Sequence, residues 1–228
     1  MATPVAKDRQ LIYVWEAPVR VAHWLTVVCM FVLAISGYYI GDPFIVTSTQ
    51  DGAAHYIMGE MRFIHAVSAA VLGLSFITRL YWATVGNRYA RFSGMLPLTK
   101  RRRRDFIQMT AYYMFLSMRR PEYFGHNPIA GLSYFAIFAL VLLEGLTGLA
   151  LYAEYFPGSF WWISFGWVRN LGLRSAELRL VHHGLMWLFV VFFLIHLYLA
   201  VFNDLVERSG VNSSIVTGFK QPPTEHDD

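Results

Sequence analysis

The chain has one cysteine, Cys29, in 228 residues. That single thiol excludes intrachain disulfides, cysteine-ligated iron–sulfur clusters and a CxxCH haem attachment. Charge is scarce too: Asp, Glu, Lys and Arg make up 15% of residues, against 56% hydrophobic ones. Soluble domains carry roughly 25% charged residues, so this composition fits a chain that uses lipid as its solvent. The N-terminus, "MATPVAKDRQLIYVWEAP", is polar and lacks a signal-peptide pattern, so the first apolar segment is expected to be retained. No repeat of fixed period and no low-complexity tract interrupts the chain.

What the chain does have is long apolar runs and many aromatics (17%), the latter suited to belts at membrane interfaces. Four runs are long enough to cross a hydrocarbon core of about 30 Å, which takes roughly 20 helical residues. They cover residues 23–40, 63–83, 129–153 and 180–203, the first a little short and borrowing flanking residues. The expected fold is therefore an all-α membrane protein, a single domain over 1–228 built as a four-transmembrane-helix bundle. Between spans two and three, residues 105–118 read as a short amphipathic helix lying at the interface, too short to span.

Basic residues set the orientation. Arg88, Arg91, Lys100, the run Arg101 to Arg104, Arg119 and Arg120 all fall between spans two and three. Lys7, Arg9 and Arg20 precede or open span one, whereas the loop after it carries Asp42, Asp51 and Glu60 and no Lys or Arg until Arg62. The positive-inside rule places both termini and the basic loop in the cytoplasm. "KRRRR" then serves as a topology determinant near lipid headgroups, and nucleic acid is not an expected partner.

The histidines carry the chemistry. His23 begins span one, His65 span two, and His182 and His183 span four, with His196 near that span's end. With both termini inside, His23 and His196 share a cytoplasmic depth, and His65 shares an outer depth with His182/His183. Helical phase separates the adjacent pair. At about 100° per residue, His182 returns to within roughly 40° of the His196 face, while His183 lands about 140° away. The same 14 residues rise about 21 Å, enough to stack two porphyrins along the membrane normal. A bare zinc or copper ion would want three or four converging ligands. Two histidines at each depth instead suit an iron porphyrin clamped axially, closed to oxygen or substrate and fitted to carry electrons.

Supporting residues follow. Gly37, Gly73, Gly145 and Gly148 would let a flat ring press against helix backbone. Arg20, Arg62, Arg79 and Arg179 lie near span ends, as candidate propionate partners. Glu144 is an ionisable group inside span three, read either as a protonated interhelical hydrogen bonder or as a proton relay. His126 and Asn127 of "GHNP" precede span three on the cytoplasmic side and form a candidate quinone site, with Pro128 as a helix-start residue. His183 is read as a bystander or a hydrogen-bond partner, Cys29 as packing, and His55 and His226 as solvated. A lone intramembrane histidine can be a mere interhelical hydrogen bonder; four at matched depths favour ligands.

The stretches "WEAPVRVAHW", "SGYYIGDP", "MGEMRFIH", "RLYWATVGNRYARF", "GHNP", "LRLVHHGLMW" and "NSSIVTGFK" together resemble the cytochrome b subunit of membrane-bound nickel–iron hydrogenases, over nearly the whole chain. The resemblance implies a four-helix anchor in the bacterial inner membrane with two haem b groups, ligated by the pairs His65/His182 and His23/His196. It implies attachment to an iron–sulfur small subunit and a nickel–iron large subunit, with electrons passing from the small subunit through both haems to quinone. The chain itself would perform no hydrogen chemistry. The gamma subunit of a formate dehydrogenase or related reductase would share these haems and differ in partner. A histidine-lined membrane transporter is the alternative from another class, and it requires no haem.

Overall fold

The computed structural model describes residues 11–44, 56–95, 99–118, 127–207 and 210–221. In chain order these form β1 (Ile12–Tyr13), α1 (Ala17–Gly41), α2 (Ile57–Val85), α3 (Phe92–Met95), α4 (Lys100–Tyr113), α5 (Pro128–Ala153) and α6 (Phe160–Phe165). A 3-10 helix (Gly166–Leu171), α7 (Ser175–Glu207), α8 (Val211–Thr217) and β2 (Phe219–Lys220) complete them. The long helices α1, α2, α5 and α7 are each long and apolar enough to cross a membrane, at the four places expected. Their large apolar side chains are widely exposed, Phe63 at 70% and Leu180 at 74% among them. A helix that is apolar all round is at home in lipid and not in water. The chain is a multi-pass, all-α membrane protein.

The spans outrun their apolar cores. α1 begins at Ala17, where the Glu16 carbonyl accepts from the Val19 and Arg20 amides at 3.0 and 3.2 Å. α7 begins at Ser175, where Glu177 reaches back to the Arg174 amide at 2.9 Å in the manner of a capping box. α4 differs from expectation: it starts on the basic run itself, at Lys100, because the Thr99 hydroxyl caps the Arg102 amide. The short β1–β2 ladder, α3, α6 and α8 were not anticipated; none exceeds seven residues.

The chain divides into two compact units whose boundaries fall within each long helix. The first comprises residues 1–21, 79–135 and 195–228; the second, 22–78 and 136–194. In the first unit, the two ends of the described chain meet as an antiparallel ladder, Ile12 opposite Lys220 and Tyr13 opposite Phe219. Both ends therefore lie on one side, as an even number of spans requires. Glu16 reinforces this clasp: its Oε2 accepts from Trp82 Nε1 and the Asn87 amide, each at 2.8 Å. Asn87 donates in turn to the Val14 carbonyl.

In the second unit, a small core of Ala150, Val168 and Leu178 is buried to 0–2% exposure. It seats the 3-10 helix against α5 and α7. Glu154 at the end of α5 adds polar ties, accepting from Ser175 Oγ at 2.7 Å and lying 3.5 Å from Arg169 Nε. These contacts fix how α5 turns into α7, and so where His182 and His183 stand.

Candidate functional site

The second unit brings His65 of α2 and His182 of α7 together, with ring centres 6.3 Å apart and planes at 68°. That spacing has a direct chemical reading. A metal–imidazole nitrogen bond is about 2.0–2.1 Å, and the ring centre lies about 1.1 Å beyond the nitrogen. Two imidazoles on opposite sides of one metal ion therefore have centres about 6.2–6.4 Å apart. Each ring rotates freely about its own bond to the metal, so a 68° angle between planes is compatible with axial ligation from both faces.

The two rings are held by a matched device on two other helices. Ser36 Oγ of α1 lies 2.9 Å from His65 Nδ1 and 2.6 Å from the Val32 carbonyl. A hydroxyl has one proton. Donated to Val32, it leaves Oγ as the acceptor of an N–H from His65 Nδ1, which makes Nε2 the free electron pair. Thr147 Oγ1 of α5 repeats this: 2.9 Å from His182 Nδ1 and 2.9 Å from the Leu143 carbonyl. Both hydroxyl residues are shielded, Ser36 at 2% and Thr147 at 6% exposure. Fixing the distal nitrogen in this way orients a metal-ligating histidine and raises its basicity.

A glycine follows each hydroxyl and makes room for the ring. A Cβ added to Gly37 would stand 3.1 Å from His65 Cε1, and one added to Gly148 would stand 3.1 Å from His182 Cε1. The other two glycines singled out by sequence, Gly73 and Gly145, have nothing within 4 Å of an added Cβ. Space beside α2 and α5, two imidazoles at axial spacing and two fixed tautomers suit a porphyrin iron. Among the described residues, no group of three or more His, Cys, Asp or Glu is placed to hold a bare ion.

Glu144 belongs to the same neighbourhood. Its Oε2 lies 3.5 Å from His182 Nδ1, and this buried oxygen has no hydrogen-bond partner. The carboxyl therefore stands behind His182 and gives that ring a second polar neighbour. His183, read from its phase as a bystander or a hydrogen-bond partner, packs against α1. Its ring lies so close to Gly41 of α1 that an added Cβ would fall 2.1 Å from Nε2, while its Nδ1 is 3.3 Å from the Arg179 carbonyl.

The remaining candidates are placed as follows. His23 lies in the second unit, its ring edge-on to Trp24 at 5.2 Å, and His196 lies in the first. Arg20 donates to the Val216 carbonyl and so ties α1 to α8. Arg62 stacks over Tyr155 at 5.8 Å, and Arg179 is exposed. Arg79 is buried at 7% exposure, over the Tyr134 ring at 5.3 Å. Asn127 accepts from the Ala130 amide on its side-chain oxygen at 2.8 Å, as the cap of α5. His126, His55, His226, Arg119 and Arg120 lie outside the described residues.

Sequence reasoning missed Ser36 and Thr147. The signal was present in "AISGYY" and "GLTGLA", a hydroxyl directly before a glycine in mid-span, but only the glycines were read. Comparison with known proteins points the same way as this geometry. Residues 14–218 match the family model described as prokaryotic cytochrome b561. The chain is 38% identical over 222 residues to a probable Ni/Fe-hydrogenase B-type cytochrome subunit of Cupriavidus necator, covering 96% of this chain and 91% of that one. A protein of the same name from Rhizobium leguminosarum is 37% identical, covering 93% and 90%. The probable Ni/Fe-hydrogenase 1 B-type cytochrome subunit of Escherichia coli K12 is also 37% identical, covering 91% and 90%.

Proposed function

Because this chain belongs to the prokaryotic cytochrome b561 family, we propose that it is the membrane-embedded electron-transfer subunit of a nickel–iron hydrogenase, with His65 and His182 as the axial ligands of one haem b. The observation that carries the proposal is the 6.3 Å separation of these rings, each backed by a hydroxyl that frees its Nε2. A haem b bound there supplies reversible one-electron transfer. His65 and His182 would hold that haem from two helices, and the chemistry it would supply is electron passage. Ser36 and Thr147 hold the ligand tautomers, and Gly37 and Gly148 admit the rings. Arg62 and Arg179 fall in the same unit and are the proposed propionate partners on that side.

His23 and His196 form the proposed second pair. Support for them comes from the 14-residue spacing of His182 and His196 and from the resemblance stated above. Arg20 and Arg79 are proposed for the propionates there, and His126 with Asn127 for the quinone site. The name shared by the relatives supports an iron–sulfur small subunit and a nickel–iron large subunit as partners. Electrons would then enter on the His65/His182 side and leave to quinone on the His23/His196 side. The basic residues Arg88, Arg91 and Lys100 to Arg104 fall in the unit that holds both chain ends. That distribution supports cytoplasmic termini in a bacterial inner membrane.

The test is purification of the chain from its native membrane in mild detergent, with haem, nickel and molybdenum assayed together. Two haem b per chain with co-purifying nickel is the expected result. Molybdenum in place of nickel would move the subunit to a formate dehydrogenase-type complex, and a haem-to-chain ratio near zero would remove the cytochrome reading altogether.

A further inference from the structure

Helix α4 opens on five successive cations, Lys100 to Arg104, at the end of a helix that already carries partial positive charge. The carboxylate that meets them within the helix is Asp105, 3.8 Å from Nε of both Arg101 and Arg104. Five cations and one carboxylate leave a net charge of +4 on residues 100–105, equal to the formal net charge of the whole chain. The helix is held from its opposite side. Asp105 and Met109 are buried, and the Tyr113 hydroxyl accepts from Asn203 Nδ2 at 3.2 Å. Asn203 stands near the end of spanning helix α7, so the C-terminal end of α4 is tied to the boundary of the membrane.

The outward face of α4 is graded. Lys100, Arg103, Arg104, Ile107 and Met114 recur at helical spacing along one exposed stripe, cations at its start and apolar residues at its finish. Ile107 is 69% exposed and Met114 63%. Just past the helix, Phe115, Leu116 and Met118 are 88%, 75% and 96% exposed. Phe115 has φ +59°, a left-handed conformation usually given to glycine at a helix end. The Leu116 amide closes on the Ala111 carbonyl at 2.8 Å. A bulky aromatic held in that conformation, with its ring projecting outward, is retained strain of the kind found at binding surfaces.

We propose that α4 is a binding surface for anionic phospholipid. Lys100, Arg103 and Arg104 would engage headgroup phosphates, and Ile107, Met114, Phe115 and Leu116 would enter the acyl boundary. A cluster of cations beside a span attracts anionic lipid specifically, and the apolar finish of the same stripe fits the hydrocarbon edge better than a nucleic acid or a polar protein surface. The negative headgroups also offset the cations crowded at the helix N-terminus. This proposal rests on the membrane-spanning fold alone and is independent of the haem reading.

The test uses the full chain in lipid nanodiscs, with Cys29→Ala and a fluorophore on Ile107→Cys. Quenching is compared between doxyl-labelled phosphatidylglycerol and doxyl-labelled phosphatidylcholine. The anionic lipid should quench more strongly, by a ratio on the order of ten, given several-fold preference for each cation engaged. Lys100→Gln with Arg103→Gln and Arg104→Gln should bring the ratio to about one, while Arg103→Lys with Arg104→Lys should keep it. Equal quenching by both lipids in the parent chain would overturn the anionic preference. Absence of quenching by either lipid would overturn the membrane contact itself and point to a soluble partner.

Discussion

Replacing Ser36 with Ala removes one oxygen from the site and leaves His65 in place. His65 Nδ1 then loses the acceptor at 2.9 Å, in a position where Ser36 is only 2% exposed and water is poorly placed to substitute. The Leu33 backbone remains as a partner for His65, so the loss is that of one hydrogen bond, about 0.5–1.5 kcal/mol. If the cost falls on the ligated state, haem affinity drops roughly 2- to 13-fold. The loss should be larger for the ferric form, because a hydrogen-bonded Nδ1 makes Nε2 a better donor to the more charged iron. Each tenfold difference between oxidation states then raises the midpoint potential by about 59 mV. Thr147→Val is the matching change on His182, and it should cost less, since Glu144 Oε2 already lies 3.5 Å from that Nδ1. The assay is haem titration of the apo-chain with a redox titration of the refilled protein, and Ser36→Thr should restore both values. Parent affinity and potential in Ser36→Ala would refute the reasoning.

Other outcomes follow from the same contacts. Gly41→Ala would place a Cβ against the far end of the His183 ring, which must shift; it should lower stability by about 1 kcal/mol. Adding His183→Ala should recover most of that loss, a coupling readable in thermal unfolding. Gly148→Leu should displace His182 and lower haem content, whereas His183→Ala should leave haem content at the parent value. Glu16→Ala strands the Trp82 and Asn87 donors, both held at 2.8 Å. It should destabilise the chain by about 2 kcal/mol or more, without altering the haem spectrum of protein that remains folded.

Much of the architecture was legible because lipid imposes a coarse rule: four apolar runs give four helices, as they do here. Helix ends were less legible, since Thr99 starts α4 and Glu177 starts α7 through capping bonds that hydropathy does not register. Helical phase set His182 apart from His183, and in the structure His182 is the ring beside His65. Phase states a direction only, so the closeness of His183 to Gly41 on another helix was not legible. Ser36 and Thr147 stayed hidden for a related reason. A mid-span hydroxyl most often bonds its own helix, and only the folded arrangement shows a histidine sharing that hydroxyl.

The central claim is that His65 and His182 serve one haem, and counting haems in three variants tests it most directly. Pyridine haemochrome assays on His65→Ala, His182→Ala and the double variant should each show the same loss, about one haem per chain of the parent two. A double variant that loses clearly more than either single variant, or a His182→Ala chain that keeps its full haem content, would contradict the pairing.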